Sequence, residues 1–268
     1  MNLRVSIVTY NTNEAELTTV VNDLHAAGAE NIEIVDNSPT RQLETLCTRL
    51  GVEYTYTGRN LGYGAAHNIS MRKSLAEDTR FHLVMNSDIC LGPDVLIRIA
   101  EYMEFHPEVG QLIPRVNYPD GTLQPVVRLL PTPLDVIGRR FLPKNWMKAR
   151  NERYTLGFWN HETTENIPYH QGSFMFFRTQ ALRDVGLFDE RFFMYPEDID
   201  LTRRMHEKYR TEYWPGVSIV HNHRAESRHS ASMMFIHIVN MIRYFNKWGW
   251  FFDSKRRSIN RKLLKHLE

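Results

Sequence analysis

Three short segments of this chain hold residues able to grip a cation or move a proton. Asn86-Ser87-Asp88 follows an apolar run. A carboxylate fixed there can hold a divalent ion against the phosphates of a nucleotide, because Mg²⁺ and Mn²⁺ favour oxygen ligands and share them with substrate phosphate. Asn, Ser and Asp also favour turns, so residue types alone leave both readings open. Phe192, Phe193, Met194 and Tyr195 precede Pro196 and the carboxylates Glu197, Asp198 and Asp200. Acidic residues in the first turn of a helix gain from its macrodipole, which accounts for one or two of them. An aromatic wall in front would desolvate a carboxylate and move its pKa toward the range of a general base. His221-Asn222-His223 ends a strand-like run, where imidazoles serve either as metal ligands or as half-buried hydrogen-bonding groups.

A fourth segment, Arg59 to Asn68, reads RNLGYGAAHN and opens a helix. Glycines such as Gly62 let backbone approach a ligand, and a helix N-terminus attracts phosphate. The segment follows the third strand rather than the first, and the first strand–helix turn, Thr9 to Asn13, has no glycine. A nicotinamide dehydrogenase is therefore disfavoured.

The elements that must position these residues alternate. Leu3 to Thr9 is strand-like, and Leu17, Val20, Val21, Leu24 and Ala27 recur at helical spacing between a cap at Asn13 and a stop at Gly28. Strands over 32–35, 52–56 and 81–85 then alternate with helices over 41–50 and 64–76. That order predicts an α/β fold with a doubly wound, mostly parallel sheet whose ligands bind at the carboxyl ends of the strands. Thr9, Asn11, Asp36, Asn37, Asn86 and Asp88 should then line one crevice. From Pro114 onward the prolines predict turns and short edge strands. Residues 135–166 read as one long loop able to act as a lid. Strands over 169–178 and 213–220 and a helix over 198–209 complete the domain. The expected division is a catalytic domain over 1–230, split into halves 1–113 and 114–230, with a helical extension over 231–268.

The 268 residues suffice for one sizeable core, and a net charge of +2 is too small for nucleic-acid binding by bulk electrostatics. Two cysteines, Cys47 and Cys90, make neither a disulfide framework nor a zinc pair, which fits a reducing compartment. The first residues lack the long apolar stretch of a secretory signal, and no run of 18 apolar residues offers a conventional membrane span.

Taken in order, VSIVTYN (5–11), IVDNS (34–38), RNLGYGAAHN (59–68), MNSDI (85–89), HQGSFMFFR (170–178), VGLFDERFFMYPEDIDL (185–201) and VHNH (220–223) resemble the family 2 glycosyltransferases with the GT-A fold, especially the bacterial rhamnosyltransferase-like branch. The resemblance implies an inverting hexosyl transfer from a nucleotide-diphosphate sugar, dTDP-rhamnose ahead of a UDP-sugar, to a glycan or polyprenyl-linked glycan in surface polysaccharide synthesis. It implies Mg²⁺ or Mn²⁺ on Asp88 and His221, with Asn86, Ser87 and Asp88 in place of the family's DxD motif. Asn86 departs from the acidic form, leaving only Asp88 charged. It further implies donor contacts at Thr9, Asn11, Asp36, Asn37, Arg59, Asn60 and Gly62, and Asp198 as general base beside Glu197. Two other classes remain to be weighed, a sugar nucleotidyltransferase and a non-catalytic nucleotide-sugar-binding subunit. Residues 9–14 (TYNTNE) lack the Gly-rich basic loop of the former.

Met234, Ile238, Met241, Phe245, Trp248 and Phe252 form one helical stripe, followed by Lys255, Arg256, Arg257, Arg261, Lys262 and Lys265. The pattern fits peripheral contact of residues 234–265 with an anionic membrane, at the cytoplasmic face of the inner membrane, or packing on the catalytic domain. On the membrane reading the tail is separable, and its removal leaves transfer to a soluble acceptor intact.

Overall fold

The computed structural model describes residues 1–138, 142–222 and 231–268. Strand β1, Leu3–Thr9, is almost wholly buried, and the Asn13 side chain caps the following helix α1, Glu14–Ala26, by accepting from Ala15 N at 2.7 Å. Strands β2 (Asn31–Asp36), β3 (Glu53–Tyr56) and β4 (Phe81–Met85) then alternate with helices α2 (Glu44–Leu50) and α3 (Tyr63–Ala76). Both β2 and β4 pair parallel with β1. The chain moves outward from β1 to β2 and β3, then crosses back to β4 on the other side. That reversal opens a crevice at the carboxyl ends of β1 and β4. Thr9, Asp36 and Asn86 stand at its edge.

The second half adds β5 (Ile89–Leu91), α4 (Val95–Phe105), β6 (Val109–Asn117), β7 (Val127–Arg128), α5 (Lys144–Tyr154), β8 (Glu165–Asn166), β9 (Tyr169–His170), β10 (Phe174–Arg178), α6 (Thr179–Val185), α7 (Glu197–His206) and β11 (Arg210–His221). Their sheet order is β3-β2-β1-β4-β10-β6-β11-β5, with β8 on β11 and with β7 and β9 forming a separate ribbon. Strand β10 lies antiparallel between β4 and β6.

Three expectations need correction. Pro114 lies inside the nine-residue strand β6 rather than at an edge. Its missing N–H is tolerated because β10 pairs only with Gln111 and Leu112, and because Pro215, Gly216 and Val217 bulge out of β11 just beyond the Trp214–Pro114 pair. Residues 135–166 contain a helix, α5, and not one long loop. Among the described side chains only Met147 and Tyr154, two turns apart, are buried on it, too few to show a period, while Arg150 ties it to Asp135 at 2.7 Å. The stretch 169–178 is two strands broken at Gln171–Ser173.

The C-terminal helices α8 (Ala231–Trp248) and α9 (Ser254–Leu267) pack on the domain. Among the described residues, no helix is long and apolar enough to cross a membrane. Met241, Tyr244 and Phe245 are buried. Asp253 caps α9 and also receives both ends of the Arg203 guanidinium, at 2.8 and 2.9 Å, with the Trp248 ring 4.0 Å from the guanidinium carbon. The stripe is thus inward-facing at Met241, Phe245 and Trp248, and Arg256 is buried rather than part of a basic surface. Removing one partner of a buried pair leaves an uncompensated charge. Asp253→Ala should therefore lower the unfolding free energy by about 3–5 kcal/mol in urea titrations, whereas Glu44→Ala, which breaks the exposed Arg41–Glu44 pair, should leave the midpoint essentially unmoved.

Candidate active site

The crevice floor is built from β1, β2 and the loop before α3. Asp36 is fully buried. One of its oxygens accepts from Thr9 Oγ1 at 3.1 Å and Ser38 N at 3.0 Å, and the other accepts from the Tyr54 hydroxyl at 2.7 Å. Asn37 accepts from Thr57 Oγ1 at 3.1 Å and donates to Gly62 O at 3.1 Å, which fastens the 59–62 loop to the end of β2. At Gly62, φ is +85° and a Cβ would lie 2.1 Å from Phe193 O, so only glycine admits the 192–195 segment here. Asn60 Oδ1 accepts from Gly62 N at 2.9 Å. Thr9, Asp36, Asn37 and Gly62 therefore shape the floor, while Asn11, Arg59 and Asn60 are exposed at the rim.

The carboxyl end of β4 carries the second group. Ser87 Oγ donates to Glu16. Pairing of β11 with β5 sets His221 opposite Ile89, bringing His221 Nε2 to 3.2 Å from Asp88 Oδ1. Buried Gln124 faces His221 Nδ1 with Oε1 at 2.8 Å. An amide oxygen only accepts, so Nδ1 carries a hydrogen and the Nε2 side is turned toward the Asp88 carboxylate. An imidazole nitrogen and a carboxylate oxygen at this separation need a proton or a cation between them, and the pair suits Mn²⁺ better than Mg²⁺, which favours an all-oxygen shell. Among the described residues no cluster of three or more His, Cys, Asp or Glu could hold a metal. Further ligands would thus have to come from a bound diphosphate and water. His223 lies outside the described residues.

The third group opens α7. Glu197 is buried and its Oε2 has no hydrogen-bond partner. Burial first, and the adjacent Asp198 charge second, raise its pKa well above the ordinary carboxyl value, so it holds a proton. Asp198 is pushed up to about 6, mainly by burial. Against that, Ile199 N donates to it at 2.8 Å, Gly172 N at 3.0 Å, and the Arg128 cation lies near. Two adjacent carboxyls with unequal support divide the work: Glu197 is neutral, Asp198 ionises near neutrality.

Tyr63 sits between the two sides. Its hydroxyl is 3.1 Å from the Asn86 side-chain oxygen and donates to the carbonyl of Gly172. Burial first, and the neighbouring Asp198 and Asp88 carboxylates after it, keep its pKa well above the ordinary phenol value. The sequence reading missed Tyr63, Gln124, Arg128 and Gly172. Tyr63 lay inside the RNLGYGAAHN segment; nothing in the turn-rich stretch marked Gln124.

A profile for Glycosyl transferase family 2 matches residues 5–186. The chain is 34% identical over 200 residues, 68% of its length, to N-acetylglucosaminyl-diphospho-decaprenol L-rhamnosyltransferase of Mycobacterium tuberculosis, and spans 62% of that relative's length. It is 27% identical over 221 residues to the rhamnosyltransferase WbbL of Escherichia coli, covering 80% of this chain and 81% of WbbL. Among solved structures it is similar to GalNAc-T7 with UDP, GalNAc and Mn²⁺, at a TM-score of 0.64 and 13% identity, covering 92% of this chain and 48% of that one. The likeness shows the GT-A arrangement of sheet and helices.

Because Gln124 fixes the His221 tautomer and ring, Gln124→Leu should weaken Mn²⁺-dependent nucleotide binding about tenfold. Calorimetry with and without Mn²⁺ reads this directly, and metal-free nucleotide affinity should stay unchanged.

Proposed function

The chain belongs to glycosyl transferase family 2, and we propose that it is an inverting, metal-dependent hexosyltransferase. On this reading it moves a rhamnosyl unit from dTDP-rhamnose, or less readily a hexosyl unit from a UDP-sugar, to a hydroxyl of a glycan or polyprenyl-linked glycan during surface polysaccharide synthesis. The names of the mycobacterial and Escherichia coli relatives support rhamnosyl transfer, and the former supports a lipid-diphosphate acceptor. The observation that carries the reading is the crevice itself: Asp88 with His221 on one side and Asp198 on the other, joined through Tyr63.

Asp198 takes the proton of the acceptor hydroxyl as the new bond forms at the anomeric carbon. Glu197, being neutral, adds no second negative charge to repel the departing diphosphate. Asn11, Arg59 and Asn60 at the rim reach the donor's nucleotide, while Thr9, Asp36 and Asn37 set the shape it enters. Asp88 and His221, with Asn86 and Ser87 beside them, would hold Mg²⁺ or Mn²⁺. When bound, the ion supplies Lewis-acid stabilisation to the leaving diphosphate. Phe193, whose backbone abuts Gly62 and Tyr63, narrows the base side and limits water there, with Phe192 anchoring the segment in the core.

The extension offers a membrane surface that shares only Ile238 and Phe252 with the stripe expected. Phe235, Ile238 and Ile242 are exposed along α8, and Phe251 and Phe252 are 65% and 91% exposed at the turn into α9. Phe252, Ser254, Arg257, Ser258, Arg261 and Lys262 line an open hollow of about 490 Å³. Exposed aromatics beside cations on a helix without acidic residues suit anionic lipid at the cytoplasmic face. The tail is not separable, however, because cutting at 253 removes the counter-ion of Arg203.

Asp198→Asn should abolish transfer in a product assay with Mn²⁺ while nucleotide affinity stays within about twofold, and wild-type kcat/KM should fall as pH drops through about 6 because the base must be ionised. Equal loss of nucleotide binding would assign Asp198 to structure. For the membrane, Phe251→Ser with Phe252→Ser should abolish sedimentation with phosphatidylglycerol vesicles, with thermal stability retained. Continued binding would remove this surface.

A further inference from the structure

We infer that Tyr63 is a positioning residue that couples the donor side of the crevice to the base side, a role that rests on the transferase reading above. The argument begins with its single hydroxyl hydrogen. The oxygen faces the Gly172 carbonyl and lies 3.1 Å from the Asn86 side-chain oxygen. A phenol donates once, so it donates to Gly172 and receives a hydrogen from the Asn86 amide once that amide's oxygen and nitrogen are exchanged. The peptide of Gly172 passes the constraint on, because its N–H donates to Asp198 Oδ2 at 3.0 Å. Asn86 is itself fixed through its backbone N–H to Ser173 O at 3.0 Å. A continuous chain of bonds thus runs from the segment carrying Asp88, through Tyr63 and Gly172, to Asp198.

The strut is braced from behind. Tyr63 and His67 are one turn apart on α3, with ring centroids 4.4 Å apart and edge-on. His67 Nδ1 is 2.7 Å from Ser6 Oγ on β1, Ser6 Oγ is 3.0 Å from His82 Nε2 on β4, and His82 Nδ1 is 2.7 Å from Ser74 Oγ. All four of these residues are buried, and burial lowers the pKa of both histidines so that they stay neutral. A neutral, hydrogen-bonded chain rooted in two central strands gives Tyr63 a fixed seat without placing a cation behind the phenol. Gly172 is closely flanked on the other side, where a Cβ would make ordinary van der Waals contact, at 3.4 Å, with both Asp198 Cβ and Tyr63 Cε1.

The groups around Asp198 are Glu197 beside it on α7, Arg128 from β7, Tyr63 from α3, and the N–H groups of Gly172 and Ile199. Of these, the Gly172 N–H is placed by Tyr63. Without the phenol's hydroxyl the Gly172 peptide is released, Asp198 loses a bond that favours its ionised form, and it binds its proton more tightly.

The test is Tyr63→Phe, which keeps the ring and its packing on His67. Nucleotide affinity and acceptor KM should remain within about twofold, kcat should fall about 10- to 100-fold, and the acid limb of the pH–rate profile should move to higher pH. Gly172→Ala, which keeps the phenol and adds a methyl group at ordinary contact distance, should leave the limb in place. A residue serving only packing would lower melting temperature and rate together and leave the limb in place. An unmoved limb in Tyr63→Phe, with wild-type transfer intact, overturns this inference alone. Absence of transfer by the wild-type protein from any nucleotide sugar overturns the functional reading and this role with it.

Discussion

The site depends on one strand pairing. Strand β10 runs antiparallel to β4 with Phe174 opposite Met85, so the residues just before β10 and just after β4 meet at the same edge of the sheet. Gly172 and Ser173 are thereby laid against Asn86, and the segments that carry Asp88 and Asp198 come together although far apart in sequence. A slip of one residue would turn every β10 side chain to the opposite face, taking Phe174 and Phe176 out of the core cluster on one side of the sheet and Met175 and Phe177 out of the cluster on the other. The apolar residues of this strand, Phe174 to Phe177, are fully buried, so the core itself enforces the register.

Within that frame, burial and hydrogen bonding separate carboxylates that are chemically alike. Asp36 is buried with three donors around it, and it shapes the floor. Glu197 is buried with an oxygen lacking any partner, and it is kept neutral. Asp198 receives two backbone N–H groups and a nearby cation, so it alone of the α7 pair stays available to take a proton near neutrality. The difference lies in what the backbone offers each side chain.

The first half of the fold was legible in the sequence because each strand is a short apolar run bounded by turn residues, and α1 shows both its cap and its stop. Asp88, His221 and Asp198 stood out as residue types that suit metal and proton chemistry but equally turns, caps and buried hydrogen bonds, and only the family resemblance gave them roles. Their mutual placement came only from the sheet. Pro114 misled because its missing hydrogen bond is excused by a bulge in a strand read separately, around Pro215 to Val217. Helix α5 was hidden because it packs through two residues and one ion pair. Gln124 was invisible for a simpler reason: an isolated glutamine in a turn-rich stretch has no periodicity, and its value lies in an imidazole brought beside it by a distant strand.

The helix that begins with the base ends its influence elsewhere. Arg203, little more than one turn beyond Asp198, gives its charge to Asp253, which also starts the final helix. Trp248 closes over that guanidinium and reaches Asp200. The final two helices are thus riveted, through a buried ion pair and an indole, to the helix that carries Asp198.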